Sequence, residues 1–512
     1  MKEEQPPLIA VKEAPMSSIA NPARRRTFSP HQGQARRTRQ LDCKRRHRLA
    51  HKARSACRRL RRIHQALPKP AGSLLDALAS AFTRPTFFRF VVLTLATILT
   101  VGHRTVCNLL RTLGALAPGH PSSYHRVFSK RRWSTWRLAR GLAGWVFDHL
   151  VPEGKVLLAG DDTVEEHPGD KVFGKGCHRD AVRSTHSFTA FRWGHKWVVL
   201  AVLVRFPFTQ RLWALPLLVA LYRSKQDNEK AGRRHKTPQQ LLRQLCCVLL
   251  RWFRQRVFVL TGDGNFATHD LARFSSRRHG RLALVSPFYA DARLYQPPPV
   301  ILGKKPAGRP RKKGAKLPTP REEVAGSRRT KSNVAWYGGG RRDVAVVSGK
   351  GHWYKAGQGL VEVLWVFVHD LTGTHRDSYF MTTDASMSVQ EVIETYTARW
   401  NLETTFQEMR SYLGLETTRG WKEKTVLRAA PCLFGLYTLV AALYSQLPRR
   451  YARMRAVLWA GKKDVTFSDA ITAVRRWLWV EWVFVIPGHN QAFAKLSRPF
   501  RTLLLHALAP AA

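Results

Sequence analysis

The stretch Val156-Leu-Leu-Ala-Gly-Asp-Asp-Thr163 is a short apolar run that ends in two adjacent aspartates. A second stretch, Val257-Phe-Val-Leu-Thr-Gly-Asp-Gly264, repeats this pattern and ends at Asp263. Both runs are typical of buried strands, and so is Trp197–Val204. The apolar spacing of residues 237–254 predicts a helix between Trp197–Val204 and the run that begins at Val257. Strand, strand, helix and strand in this order predict an α/β sheet with a parallel element, whose strand ends are where sites are built. An Asp-Gly pair after a strand is also a common turn, so neither aspartate is decisive alone.

A third acidic position lies on a long helix predicted from Ser388 to about Leu413, because Ser388 and Glu391 form a capping box. Four polar residues fall within an arc of roughly 60° on this helix, at about 100° per residue. They are Tyr396, Arg399, Glu403 and Arg410. A solvated face with Arg399 and Glu403 as an i,i+4 ion pair is the simpler interpretation. Apolar residues intermixed with the four indicate instead a helix that is packed on most sides.

These stretches resemble the DDE transposases of bacterial insertion sequences, in the group with the YREK signature. The signature is Tyr-x2-Arg-x3-Glu-x6-Lys, and this chain reads Tyr396-x2-Arg399-x3-Glu403-x6-Arg410, with arginine in place of the final lysine. Residues 157–163 and 259–266 resemble the first two catalytic blocks of that family, and residues 378–406 resemble the third. The resemblance covers about residues 75–450.

The resemblance implies an RNase H-like catalytic core with a mostly β insertion between the second aspartate and the glutamate. It implies that Asp161, Asp263 and Glu403 are the catalytic, metal-binding triad and hold Mg²⁺ or Mn²⁺ as two ions. Asp162 stays an alternative to Asp161, which we prefer because Thr163 stands where the family has its threonine. Hard oxygen ligands suit these cations, and two ions serve in-line displacement at phosphorus.

The resemblance also implies DNA contacts near the scissile bond. Tyr396, Arg399 and Arg410 would hold phosphates there, because an arginine grips phosphate in a bidentate fork. At position 410 arginine keeps the positive charge of the family's lysine but has a different shape.

The charge of the chain indicates a polyanionic partner. It has 86 Lys and Arg against 34 Asp and Glu, a net charge of +52, and its 44% hydrophobic residues are enough for a sizeable core. This combination predicts a large folded protein that binds nucleic acid and excludes a disordered chain. Seven scattered cysteines form no disulfide framework and are typical of a reducing cytosol.

The fold class expected is thus α/β, with an RNase H-like core preceded by a helical DNA-binding region and a basic N-terminal tail. The predicted segments are residues 1–72, a basic and largely disordered tail; 73–150, a helical DNA-binding domain; 151–290, the first part of the core; 291–377, a β-rich insertion with a basic loop; 378–450, the second part of the core with the glutamate helix; and 451–512, a C-terminal helical region. Residues 24–62 alone carry 16 Lys and Arg and one acid.

Several weaker signals leave alternatives open. The helices predicted at 105–113 and 122–128 form either a helix-turn-helix or an ordinary helical domain with a basic face. The spacing of Cys43, His47, His51 and Cys57 favours no standard zinc site. Arg309, in the basic loop, resembles the core of an AT-hook that enters the minor groove, although a loop tracking phosphate explains it as well.

Two further predictions concern an apolar segment and three acidic residues. The run Phe87–Gly102 is short for a membrane span and predicts a buried helix. Glu165, Glu166 and Asp170 are interpreted as acids of a surface loop.

We therefore expect a DNA transposase that cleaves the ends of an insertion sequence and joins the 3′-hydroxyl ends to target DNA, by a cut-and-paste route with or without a hairpin intermediate. Its partners would be double-stranded DNA and a second copy of the chain in a homodimer on paired ends, with no membrane. Its location would be the bacterial cytoplasm, in association with the nucleoid. The alternative is a non-catalytic, sequence-specific DNA-binding protein or an inactive transposase relic.

Overall fold

The computed structural model describes residues 69–180, 183–299, 311–452, 461–485 and 489–510. Three features of the sequence lie outside these ranges: the basic tail up to residue 68, the Cys43–Cys57 motif within it, and Arg309. Their predicted roles stay predictions.

The first described part of the chain is helical. Its helices are α1 (Lys69–Asp76), α2 (Arg84–Leu99), α3 (Val106–Leu113), α4 (Pro121–Ser129) and α5 (Thr135–His149). Helix α2 contains most of the apolar run that begins at Phe87, and 11 of its 16 residues are buried, as the sequence predicts. Helices α3 and α4 lie on either side of the turn at Gly114, whose φ of +52° suits a glycine. Their role in DNA binding stays a prediction.

The rest of the described chain builds a large mixed sheet and the helices around it. The strands are β1 (Val156–Glu166), β2 (Gly176–Arg179), β3 (Phe191–Val204), β4 (Trp213–Tyr222), β5 (Phe258–Gly262), β6 (Leu282–Pro287), β7 (Leu294–Tyr295), β8 (Thr330–Ala335), β9 (Arg341–Lys355), β10 (Gly359–Asp370) and β11 (Ser378–Thr382). The helices are α6 (Lys225–Lys230), α7 (Pro238–Trp252), α8 (His269–Ser276), α9 (Pro320–Gly326), α10 (Val389–Ala398), α11 (Asn401–Glu408), α12 (Glu423–Ser445), α13 (Arg449–Ala452), α14 (Phe467–Leu478), α15 (His489–Lys495) and α16 (Arg498–Leu508).

The sheet is parallel at its centre and antiparallel on both sides. Strands β1, β5 and β6 are parallel neighbours, β3 and β4 extend the sheet in antiparallel fashion beyond β1, and β11, β10 and β9 extend it beyond β6. The strands between the second aspartate and the glutamate therefore join the same sheet. The α/β class with a parallel element is confirmed, because β5 pairs in parallel with both β1 and β6 and helices pack around the sheet.

Strand β1 is longer than the sequence predicts. Its apolar run ends at Ala159, but the strand continues to Glu166 because β3 begins at Phe191 and pairs with it as far as Glu166 opposite Gly194. At that point the strands approach closely, and a Cβ on Gly194 would lie 2.0 Å from the carbonyl oxygen of Glu165. Asp161 therefore lies inside a strand, and its prediction at a strand end is wrong.

The glutamate helix is divided into shorter parts. Ser388 and Glu391 form the predicted capping box at the start of α10. Helix α11 follows after two residues, Arg399 and Trp400, whose backbone angles are still helical, and a π-helical turn then runs from Met409 to Leu413. Gly414, with φ +64°, ends it.

Helices cover both faces of β1. Helix α7 packs on the face of Gly160, where an added Cβ would come within 2.6 Å of the Leu242 side chain. Helix α11 lies on the opposite face, where Asp161 points. Helix α12 is, by length and composition, apolar enough to cross a membrane, yet 67% of its apolar window is buried within the protein, as in a core helix.

Candidate active site

Two of the predicted carboxylates start from neighbouring strands. Gly160 of β1 pairs with Gly262 of β5, and each glycine is followed by an aspartate, Asp161 and Asp263. Pairing between the two parallel strands stops at this point, so both aspartates lie at the carboxyl edge of the parallel part of the sheet. Asp263 is held in its turn because its Oδ1 accepts hydrogen bonds from the backbone amides of Asn265 at 3.0 Å and Phe266 at 3.3 Å.

Arg399 joins the strand to the helix that carries the third carboxylate. Its Nη1 donates to Asp161 Oδ2 at 2.6 Å, and its Nη2 donates to Glu403 Oε1 at 2.9 Å. Arg399 and Asp161 are both buried, whereas the side chain of Glu403 is 37% exposed. Glu403 therefore lies at the solvent-exposed edge of this site, and Asp161 lies at its buried end.

Burial and charge set the protonation of this pair. Burial raises the pKa of Asp161 to about 7, the Arg399 guanidinium opposes the rise, and the nearby Asp263 adds to it. Burial is the largest single influence and lowers the pKa of Arg399, but Asp161, Tyr396 and Glu403 together outweigh burial, and the pKa ends above its usual range. Arg399 therefore stays charged, and Asp161 is poised between its two protonation states near neutral pH.

The two adjacent aspartates of β1 point to opposite faces of the sheet, as successive strand residues do. Asp162 faces away from Arg399 and forms an ion pair with Lys196, with 3.0 Å between Oδ1 and Nζ. Burial raises the pKa of Asp162, and Lys196 opposes that rise. Asp161 is the one that shares a face with Glu403, which favours it as a ligand; the assignment stays a prediction.

The same face of β1 continues past Asp161 in steps of two residues. Thr163 Oγ1 accepts from Arg410 Nη2 at 2.5 Å, and Glu165 Oε2 accepts from the Trp197 indole Nε1 at 2.8 Å. Glu165 is only 1% exposed, and burial raises its pKa to about 8. The prediction that Glu165 is a surface-loop acid is therefore wrong, since the strand continues where a loop was expected. Spacing of polar residues at 161, 163 and 165 was the signal for this buried face.

Arg410 contacts the same face of β1 two residues beyond Asp161, at Thr163. Besides Thr163 it contacts Glu416, with 3.3 Å between Nε and Oε1, and its side chain remains 31% exposed. Of the two arginines in the predicted phosphate-binding set, Arg410 is the one with surface left to meet a ligand. Arg399 has both terminal nitrogens bonded to carboxylates.

Aromatic rings line the other side of Arg399. The Tyr396 ring packs on Phe380, with 4.3 Å between centroids, and lies 5.9 Å from the Arg399 guanidinium carbon. Burial raises the pKa of Tyr396. Trp400 is 48% exposed and contacts Tyr337, which no local pattern connects to this site because Tyr337 lies 63 positions earlier in a glycine-rich turn.

The residue types at this edge fit a hard divalent cation, because Mg²⁺ and Mn²⁺ prefer carboxylate oxygens. Their arrangement is different: within the described ranges, no three His, Cys, Asp or Glu side chains form a group that could hold a metal ion. Arg399 lies between Asp161 and Glu403 and bonds both. The metal-binding role of Asp161, Asp263 and Glu403 thus stays a prediction.

A cavity in the described part of the chain lies away from these carboxylates. Its volume is about 900 Å³, and apolar side chains such as Phe90, Leu142 and Leu436 line it between the N-terminal helices and α12. None of the three carboxylates borders it, and we assign it no role in the chemistry.

Comparison with known families identifies the class of protein. Residues 77–343, which are 267 of the 512 residues, match the family described as DDE superfamily endonuclease. The chain belongs to this family, and its mixed α/β sheet fits a DDE nuclease fold. The matched range contains Asp161 and Asp263 and ends before the helix that carries Glu403.

Two further comparisons complete the picture. No curated protein matches the chain. Among solved structures, the chain is similar to the cryo-EM structure of a piggyBac transposase synaptic complex with hairpin DNA, at 11% identity and a TM-score of 0.33, with 88% of this chain and 83% of that chain covered.

Proposed function

We propose that this protein is a DNA transposase of the YREK group, which cleaves DNA at the ends of an insertion sequence and transfers the 3′-hydroxyl ends to target DNA. The single observation that carries the proposal is the Arg399 bridge between Asp161 and Glu403, beside Asp263 on the next strand. Arg399 thereby joins Asp161 and Glu403, although Asp161 and Arg399 lie 238 positions apart in sequence. Membership of the DDE endonuclease family supports cleavage of phosphodiester bonds.

In this proposal the carboxylates bind cations and Arg410 binds phosphate. Asp161, Asp263 and Glu403 would hold Mg²⁺ or Mn²⁺, which when bound activates the attacking hydroxyl and stabilises the leaving oxygen. Arg410, with part of its side chain exposed, would hold a backbone phosphate near the scissile bond. Arg399 keeps Asp161 and Glu403 together, because a buried carboxylate without a partner is costly.

The finer parts of the proposal follow from the sequence. The helices α3 and α4 and the basic tail would bind the terminal inverted repeats, and the chain would act as a homodimer on paired ends, by a cut-and-paste route. We place it in the bacterial cytoplasm, associated with the nucleoid. An RNase H-like core is supported by the strand order β4-β3-β1-β5-β6.

The test is cleavage of DNA that carries the sequences flanking the gene in its genome. The full chain should nick this DNA with Mg²⁺ and not with EDTA, and Glu403→Gln should abolish nicking while leaving binding within about twofold. Glu362→Gln, which changes an exposed acid on β10, is the matched control and should nick normally. Cleavage by Glu403→Gln would overturn the triad.

The alternative function has its own outcome in this assay. A non-catalytic DNA-binding protein would shift the same DNA in a gel and leave it uncut under every metal condition. That result would remove the transposase proposal and leave the DNA-binding part.

A further inference from the structure

A two-stranded ribbon extends from the sheet beyond the end of β1. It consists of β2 and the first residues of β3, with Cys177 opposite Trp193 and Arg179 opposite Phe191; we call these residues, 176–179 and 191–194, the aromatic ribbon. Phe191 is 65% exposed and Trp193 is 60% exposed. Within the described ranges neither ring packs on another aromatic ring, and more than half of each side chain is exposed.

The opposite face of the aromatic ribbon is anchored, which keeps the rings in place. Arg192 lies 3.2 Å from Asp180 and 3.1 Å from Glu416, and the ring of His178 packs edge-on against Tyr222. Gly194, which has no side chain, allows β3 to lie close to Glu165 of β1. Because the ribbon is held on one face only, its exposed face is a rigid surface that needs little ordering when a ligand binds.

The exposed face of the aromatic ribbon is the face of β1 that carries the carboxylates. Asp161 pairs with Val199, and side chains at 199, 193 and 191 point to the same side because they are separated by even steps. Along β3, Trp193 is six residues and Phe191 eight residues from Val199, or ~20 and ~26 Å at about 3.3 Å per residue. A nucleic acid bound at the carboxylates therefore comes within reach of the rings.

Cations accompany the rings. Lys175 Nζ lies 5.9 Å from the centre of the Trp193 ring, Arg179 is exposed beside Phe191, and Arg183 follows with 68% of its side chain exposed. Aromatic planes interleaved with cations suit a polyanion whose units carry flat rings. Single-stranded nucleic acid has this chemistry, and its bases stack on such rings with little dependence on sequence.

We propose that the aromatic ribbon binds unpaired DNA bases by stacking on Phe191 and Trp193, with Arg179 and Lys175 against the backbone phosphates. The inference rests on the proposed function for the nature of the partner, and adds a binding surface that the carboxylate site does not include. A blunt duplex should stack on these rings much less, because its bases are already stacked on each other.

The experiment measures fluorescence anisotropy of the full chain with two labelled probes at one salt concentration: (dT)20 and a blunt 20-base-pair duplex. The double variant Phe191→Ala with Trp193→Ala should bind (dT)20 roughly tenfold or more weakly, since stacking on one ring contributes that much. Its affinity for the blunt duplex should change by less than about threefold. Phe500→Ala, which removes a ring that is 59% exposed on α16, is the matched control and should bind both probes normally.

A second pair of variants separates stacking from simple apolar contact. Trp193→Phe keeps a ring and should bind (dT)20 nearly as the unchanged chain does, whereas Phe191→Leu with Trp193→Leu keeps apolar bulk and should lose affinity. Unchanged binding of (dT)20 by the double alanine variant, full binding by the leucine variant, or an equal loss on the blunt duplex would each overturn the proposal. Nicking by the unchanged chain is scored separately, so failure of the ribbon and failure of the transposase function are told apart.

Discussion

Arg399 and Asp161 form a buried ion pair, with 2.6 Å between Nη1 and Oδ2, that ties the glutamate helix to strand β1. The pair is 238 residues apart in sequence and is the contact through which Glu403 reaches the edge where Asp161 and Asp263 lie. A residue expected to bind phosphate thus serves first to hold two carboxylates in place.

Removing the guanidinium should destabilise the whole fold. Arg399→Ala leaves Asp161 buried and unpaired, and we expect the free energy of unfolding to fall by about 3–5 kcal/mol in denaturant titration. Arg243→Ala is the matched control, because its ion pair with Asp270 at 2.7 Å is exposed and should contribute less than about 1 kcal/mol. Equal losses in the two variants would contradict the structural role of Arg399.

The two adjacent aspartates should behave differently in cleavage. Asp161→Asn should abolish nicking, because its side chain shares the face of Glu403. Asp162→Asn should retain most of the activity, because this side chain points to the other face and pairs with Lys196. Nicking assays on both variants decide the point, with circular dichroism as a check on folding; activity that survives in Asp161→Asn and disappears in Asp162→Asn would reverse the assignment.

The buried Glu165 should make stability depend on pH. Its pKa rises from 4.5 in the unfolded chain to about 8 in the folded protein, chiefly by burial. Between these values the unfolded chain releases the proton and the folded one keeps it, so this group costs stability progressively as the pH rises from 4.5 to 8.

Glu165→Gln has no such proton to release, and its Tm should fall less than that of the unchanged chain between pH 5 and about pH 8. The glutamine oxygen can still accept from the Trp197 indole. Thermal unfolding at four or five pH values compares the two slopes. Parallel slopes would show that Glu165 ionises normally in the folded protein.

Arg410 should contribute to DNA binding through a phosphate. Arg410→Ala should lower the slope of log affinity against log salt concentration by about 0.9, the value for one phosphate contact on duplex DNA. Arg410→Lys keeps the charge and should keep the slope, with weaker binding because lysine lacks the planar fork. A slope left unchanged by the alanine variant would limit Arg410 to its contacts with Thr163 and Glu416.

The predictions from sequence succeeded where a local pattern was enough. The apolar spacing of residues 237–254 predicted helix α7, and the capping box of Ser388 and Glu391 predicted the start of α10. They failed at β1, whose polar second half, from Asp161 to Glu166, contains no apolar run. That half is a strand because β3 supplies hydrogen-bond partners from residues 28 to 38 positions further along the chain.

The sequence by itself determined the charge that selects a polyanionic partner, the α/β class and the aspartates that follow the two apolar runs, because each is written in composition or in short-range periodicity. Only the tertiary structure decided which of Asp161 and Asp162 faces Glu403, that Glu165 is buried, and that the aromatic ribbon shares the carboxylate face. These depend on strand register, and the register is fixed by pairing between segments that no local pattern connects.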